Sequence, residues 1–418
     1  MKRVIVHSDI NHAYAQIEEM KNPAYRKVPM AVGGSEEKRN GIILAKNDLA
    51  KRYHIQTGES LREARAKCPD LLIVHPHYEE YIYYTEKIKD IYRQYTDRVE
   101  SFGLDEAWMD LTHSQRLFGD GVHLASRIQE EVYRKTGMTV SMGVSFNKVF
   151  AKLGSDMKKK KGYILIDEEN FRDVVWPRPV GDLLMVGHRT EAKLHQMGIL
   201  TIGDLARADG TLLVRRFGKI GGMLYQFANG LDHSEVKPVG YQREIKSVGN
   251  GKTVVRDIEN REQLYEVFRV IAESVAARLR DIHSKGSVVS VYMRDTGLCY
   301  IGFQQRLSQP TDLADEILHT AMFLARKDPR FDVRYRSVGI RVSDLTKLAY
   351  DQPDLFSDPR RREKERRAEA VIEEIRGRYG YHSCGMASVQ LDSDLTDFDP
   401  KGTHTIHPVG FLDGSISL

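Results

Sequence analysis

The chain has 418 residues, 41% of them apolar and 29% charged, with a net charge of +4. At roughly 100–200 residues per domain this length predicts two to four folded domains, and the composition excludes a disordered chain. No run of about 18 apolar residues occurs, which excludes a membrane-spanning helix, and the apolar stretch in MKRVIVHSDINHAY is too short for a signal peptide. Cys68, Cys299 and Cys384 lie far apart with no metal-ligand spacing and read as thiols of a reducing cytoplasm.

RVIVHSD predicts a first strand and AYAQIEEM a short helix. VPMAVGG and GIILA predict two further strands, LREARAKC a helix and LLIVHP an extended segment. YEEYIYYTEKIKDIYRQYTDRV places apolar and aromatic residues at helical spacing over five turns. VESFG and EAWMDLT predict two strands meeting at Gly103-Leu104-Asp105. A helix over 119–136, the strand TVSMGVS and a lysine-bearing helix from Asn147 follow. The order β, α, β, β, α, β fits a split βαβ sheet with helices on one face, residues 21–77 being a small insertion.

Residues 167–232 turn helical with short connections, and 233–242 (HSEVKPVGYQ) predict a linker. From 243 to 346 the pattern is mixed: EIKSVGNGKTVV, SVVSVYMRD and YRSVGIRVSDL as strands, with REQLYEVFRVIAESVAARLRDI as a long amphipathic helix. The remainder, 347–418, is polar, with a basic helix over 359–377 and a loop-rich end. The lysines at 148, 152 and 158–161 and the run RRREKERR from 360 to 367 fit either solvated helix faces or phosphate-binding surfaces.

The stretch SFGLDEAWMDLT, residues 101–112, sets Asp105 beside Glu106 in otherwise β-like sequence. Adjacent carboxylates repel, and neither belongs on a buried strand without a partner. In the split sheet the first strand lies beside this hairpin, so Asp9 converges with Asp105 and Glu106. Divalent cations make such convergence tolerable.

HSDINHAYAQIEE, FGLDEAWMDLT, SMGVSFNKVFAKLGSDMKKKKG and MVGHRTEAKLHQMGILTIGDL, in this order and spacing, resemble the Y-family translesion DNA polymerases, most closely the bacterial members. The resemblance implies an α+β multidomain fold. Its parts would be a palm with a ferredoxin-like split βαβ sheet and small fingers (1–166, fingers about 21–77), a helical thumb (167–232), a linker (233–242), an α/β little finger (243–346) and a polar C-terminal tail (347–418). It also implies template-directed, low-fidelity synthesis, with Asp9, Asp105, Glu106 and the carbonyl of Ile10 holding two Mg²⁺ ions. One metal lowers the pKa of a primer 3′-hydroxyl and the other neutralises the leaving pyrophosphate.

By the same resemblance Tyr14 is a steric gate against a ribose 2′-hydroxyl, and Lys51 and Lys159 bind the triphosphate. His12 stacks near the incoming sugar, while Asp110 stays outside the site. Gly187 and Lys193 belong to a helix-hairpin-helix that holds a DNA phosphate, and Met185 stands where that motif has its first glycine. Lys246, Arg336 and Arg341 would track the DNA backbone. In DQPDLF, Gln352, Leu355 and Phe356 would dock on the bacterial sliding clamp. Primer-template DNA and deoxynucleoside triphosphates are the implied partners, and a cytoplasmic monomer is the implied state. In ILAKNDLAKRYHI the usual Thr, Tyr and Arg contacts become Ala45, Asp48 and Lys51, so Asp48 would repel a triphosphate unless it points away or pairs with Lys46 or Lys51. A non-catalytic, clamp-bound adaptor is the alternative, disfavoured by the three acids. A nucleotide cyclase is a third reading, disfavoured by the hairpin motif and clamp peptide.

Overall fold

The computed structural model describes residues 2–35, 41–157, 162–241, 244–329, 334–347 and 359–399. It divides into two compact units: one takes residues up to Gly33 and from Ile42 to the end of the linker segment, and the other begins at Glu244. Among the described residues no helix is long and apolar enough to cross a membrane.

In the first unit β1 (Ile5–Ile10), β2 (Met30–Gly33), β3 (Ile43–Lys46), β4 (Leu72–Val74), β5 (Val99–Phe102), β6 (Glu106–Asp110), β7 (Val140–Ser145) and β8 (Tyr163–Ile166) follow in chain order. They form a five-stranded sheet of order β5-β6-β1-β7-β8 and a three-stranded sheet of order β3-β2-β4. β1 is antiparallel to both neighbours, with Asp9 opposite Glu106 and Ser141, while β7 and β8 run parallel. β1 and β7 are buried along their whole length, which requires cover on both faces.

That burial corrects the expectation of helices on one face. Even-numbered β1 residues such as Val6 join the core with helices Tyr78–Arg93 and Gly121–Thr136. Ile5 packs with Trp108 and Ala151, so helix Lys148–Met157 covers the opposite face. A Cβ on Gly143 would lie 1.9 Å from the Ala151 carbonyl oxygen. Only glycine permits this approach of strand and helix. The fifth strand, β8, was not expected from the sequence.

A buried ion pair ties the palm together. Lys148 Nζ is 2.7 Å from Glu100 Oε2, with side chains 3% and 6% exposed, and it sits 4.5 Å over the Trp108 ring. The Trp108 indole N–H donates to the Lys148 carbonyl at 2.9 Å. Glu100 also accepts from the backbone N–H of Lys237 at 3.0 Å. The segment predicted as a linker is therefore anchored along the palm, with Val236 fully buried and Val239 N–H bonded to the Asp97 carbonyl.

The helical segment after β8 has its breaks at Gly187 and Gly198. Leu183 to Val186 form a bend, and the first helix runs from His188 to Gln196 with Gly187 as N-cap. After Gly198, at φ 76°, helix Ile202–Arg207 begins behind a Thr201–Asp204 capping box.

In the second unit β9 (Ser247–Ile258), β10 (Lys285–Asp295), β11 (Tyr300–Thr311) and β12 (Tyr335–Thr346) form a sheet of order β11-β10-β12-β9. Helices Arg261–Asp281 and Ala314–Ala325 cover one face. β11 and the second helix were not expected.

The polar tail is not a separate appendage. Helix Pro359–Tyr379 docks on these helices through Arg280 with Glu369 (2.6 Å) and Glu373, Arg376 with Glu273 (2.9 Å), and Arg362 with Glu316 (2.8 Å). Leu395 enters the same core, with Phe398 packed against it.

Breaking the buried pair by Lys148→Ala leaves Glu100 uncompensated and should cost about 3–5 kcal/mol. The double substitution Lys148→Met with Glu100→Gln should cost clearly less. Urea unfolding midpoints of the two variants check this; equal losses would place the effect in packing rather than charge.

Candidate active site

The acidic cluster follows from strand register and one tight turn. β5 and β6 are joined through Gly103, at φ 74°, a left-handed conformation that glycine adopts at little cost. The turn puts Asp105 and Glu106 at the start of β6, Glu106 pairs with Asp9 at the end of β1, and Ile10 N–H donates to the Asp105 carbonyl at 3.1 Å. Asp9, Ile10, Asp105 and Glu106 line one cleft of about 460 Å³, together with His12, Tyr14, Ala45, Lys46 and Lys51. The carboxylates lie on the palm side and the cationic side chains come from the β3 region.

The two adjacent acids are pushed in opposite directions. Burial, and then the Glu106 charge, push the Asp105 carboxyl above its ordinary pKa. Burial opposes ionisation of Glu106 as well, yet His7 and Lys152 outweigh it and hold this carboxyl down at about 2. Lys152 Nζ is 2.6 Å from Glu106 Oε2, and fully buried His7 has Nε2 3.4 Å from the same oxygen. On its other side His7 Nδ1 is 2.7 Å from Ser155 Oγ, and Ser155 donates to the Lys152 carbonyl. One helix thus braces Glu106 twice.

Carboxylates and a backbone carbonyl are the donor set a hard divalent cation prefers, and mutual repulsion of Asp105 and Glu106 is what such a cation relieves. In chemistry the residues fit a divalent metal. Among the described residues no three His, Cys, Asp or Glu side chains stand closed around one metal position, and Glu106 is engaged by Lys152.

Tyr14 lines the cleft from the helix that follows β1. Its ring stacks on Tyr81 (centroids 4.5 Å, 11° between planes) and meets Tyr78 edge-on. Tyr81 is fixed in turn by donating to buried Glu18 at 2.6 Å. Burial and the nearby Asp105 charge push the Tyr14 phenol up to about 12. The turn before this helix is set by polar contacts: Ser141 Oγ donates to Asn11 Oδ1 at 2.7 Å, and Gln16 Nε2 donates to the Asn11 carbonyl at 2.7 Å.

Lys51 is exposed and lines the cleft, at the end of helix Asp48–Lys51. The partners of the Asp48 carboxylate include His12, with Nε2 3.8 Å from Oδ1. Lys46, one expected partner, bonds Thr57 at 3.3 Å. Lys159 lies outside the described residues.

Gly187, exposed, caps its helix without a side-chain bond, and Lys193 is exposed nearly two turns on. Met185 adopts φ 73°. A non-glycine residue there carries strain of about 1 kcal/mol or more, consistent with a position that the motif fills with glycine. In the second unit Lys246 and Arg341 are exposed and Arg336 half-buried. Arg341 is on the sheet face away from the helices, where its Nε–H bonds Ser247 Oγ at 3.0 Å. Gln352, Leu355 and Phe356 lie outside the described residues.

Sequence reading missed Lys152, His7 and Ser155 as site residues. The periodic spacing of Lys152 and Ser155 along one helix was visible, but which sheet face that helix covers was not.

Comparison with known proteins gives a consistent assignment. Residues 8–156 match the impB/mucB/samB family, 181–232 the thumb domain of DNA polymerase-iota, and 245–355 the impB/mucB/samB family C-terminal domain. DNA polymerase IV of Acetivibrio thermocellus is 44% identical over 396 residues, spanning 94% of this chain and 99% of its own. DNA polymerase IV of Clostridium acetobutylicum is 32% identical, spanning 94% and 100%. DNA polymerase IV 2 of Bacillus subtilis is 34% identical, spanning 85% and 88%. Among solved structures, the Y-family DNA polymerase chimera Dbh-Dpo4(243-245)-Dbh superposes with a TM-score of 0.72 at 20% identity, covering 82% of this chain and 100% of that one.

Proposed function

The chain belongs to the impB/mucB/samB family, the Y-family DNA polymerases, and we infer that the cleft at the β1–β6 strand ends is its polymerase site. The protein is a template-directed DNA polymerase of translesion synthesis, with DNA and nucleotides as substrates and a requirement for divalent metal. The observation that carries the site assignment is the pairing of Asp9 with Glu106, Asp105 beside them, in a cleft that also holds Lys46 and Lys51.

In the proposed reaction the primer 3′-oxygen forms a bond to the α-phosphorus of the incoming nucleotide, and the bond to pyrophosphate breaks. Asp9, Asp105, Glu106 and the Ile10 carbonyl are the groups that would hold two Mg²⁺ ions. When bound, these supply charge for the nucleophile and leaving group. Tyr14, rigid on its Tyr81 platform, excludes a 2′-hydroxyl by contact. Lys51, and Lys159 from beyond the described residues, attract the triphosphate. The exposed N-terminus of helix His188–Gln196, with Gly187 and Lys193, offers N–H groups and charge to a DNA phosphate. Lys246, Arg336 and Arg341 do the same from the second unit. DQPDLF supplies Gln352, Leu355 and Phe356 for the sliding clamp. The enzyme works as a monomer in the cytoplasm.

Asp105→Asn removes one ligand charge at the acidic cluster and should abolish primer extension while circular dichroism stays native. Near-normal extension by that folded variant would sink the site assignment.

Tyr14→Ala should raise ribonucleotide incorporation relative to deoxynucleotide by roughly tenfold or more, as expected when a steric block worth about 1.4 kcal/mol or more is removed. An unchanged ratio in single-nucleotide extension makes Tyr14 a packing residue only.

Replacing Leu355 and Phe356 by Ala should leave extension without clamp nearly intact and shorten the products made with a loaded clamp, because tethering raises effective concentration. Equal stimulation of wild type and variant would make the segment a plain connection.

A further inference from the structure

Lys152 is the strongest charge contact at the acidic cluster that the polymerase reading leaves without a role. It projects from helix Lys148–Met157 on the side that covers β1. Its Nζ is 2.6 Å from Glu106 Oε2 and 3.7 Å from Asp156 Oδ2, and it sits 5.3 Å over the Phe102 ring. The side chain is 13% exposed, so solvent screens the pair only weakly. Its backbone carbonyl accepts from Ser155, whose Oγ is 2.7 Å from His7 Nδ1. His7 is wholly buried and faces the same Glu106 oxygen from behind. The lysine side chain is therefore set at this carboxylate between Asp156 and the Phe102 ring.

The consequence is electrostatic. Glu106 is compensated by a protein cation 2.6 Å away. A divalent ion approaching Asp9 and Asp105 meets a fixed positive charge and must share Glu106 with it. A triphosphate reverses the balance, since it brings several negative charges into the same cleft. We propose that Lys152 is a resident counter-ion of Glu106 which competes with a divalent ion for that carboxylate and makes strong metal binding at the cluster depend on the nucleotide. This rests on Asp9, Asp105 and Glu106 being the metal ligands. Lys152 is a positioning residue in that scheme, acting through Glu106 and not on the substrate.

The test is Mn²⁺ titration of the full-length protein without DNA, the free ion being followed by electron paramagnetic resonance, with and without dATP. Lys152→Met, similar in volume and neutral, should bind Mn²⁺ on the order of tenfold more tightly than wild type in the absence of nucleotide. That difference should shrink when dATP is present. Lys152→Arg should retain the wild-type weakness. Lys152→Gln, neutral but still a hydrogen-bond donor to Glu106, should gain affinity as Lys152→Met does, and stands in for it if the methionine variant fails to fold. Equal or weaker nucleotide-free binding by the neutral variants overturns the proposal and leaves Lys152 as a structural tie. Asp105→Asn separates this from failure of the underlying reading. If that substitution leaves Mn²⁺ binding unchanged in every background, the ions lie elsewhere, and the metal-site assignment falls together with the proposal.

Discussion

Like-charge repulsion at one sheet end is the constraint around which the first unit is arranged. Asp9, Asp105 and Glu106 are set close by the register of β1 against β6, and nothing in a hydrogen-bonded strand pair stabilises such a set. The palm responds from two directions. Helix Lys148–Met157 sends Lys152 to Glu106, β1 itself turns His7 to the same oxygen, and the opposite face is left for the cleft. The same helix places Lys148 beneath Trp108 and against Glu100. Lys152, which compensates Glu106, and Lys148, which pins the hairpin through Glu100, thus come from one helix, so the electrostatics of the site and the stability of the sheet share it.

How much of this was legible in the sequence depends on the range of the interaction. Gly103-Leu104-Asp105 between two apolar runs announces a turn, and the β period then puts Glu106 at a strand start; both signals are local. The partnership of Asp9 with Glu106 needed only the order of strands. The role of Lys152 needed the sheet face that its helix covers, and that is decided by Gly143, whose missing Cβ lets the helix backbone approach. A glycine in SMGVS does not state which helix will come near.

The missed elements have similar explanations. β8 is four residues long and only partly buried, too short for a periodic signal. β11 is an edge strand with the polar run QQRLSQ, so alternation is weak on its exposed side. Helix Ala314–Ala325 has Leu313 as N-cap and no local side-chain cap. Its first N–H, at Ala314, is accepted by Glu369 at 2.9 Å from 55 residues away. A start signal supplied by a distant helix is invisible to local reading.

That distant cap changes what the C-terminal segment is. Composition made it a polar tail, and polarity was correct for the exposed face of helix Pro359–Tyr379. Its buried face is polar too, since Arg280, Glu369 and Glu373 meet there as charges and Arg362 is almost wholly buried against Glu316 and Gln309. Hydrophobic periodicity cannot detect an interface written in ion pairs. Leu395, 1% exposed, adds the apolar anchor farther along. Strand β12 ends at Thr346 and the docked helix begins at Pro359, so DQPDLF lies between two elements fixed to one unit rather than on a free end. A peptide tied at both ends reaches less far than one tied at a single end.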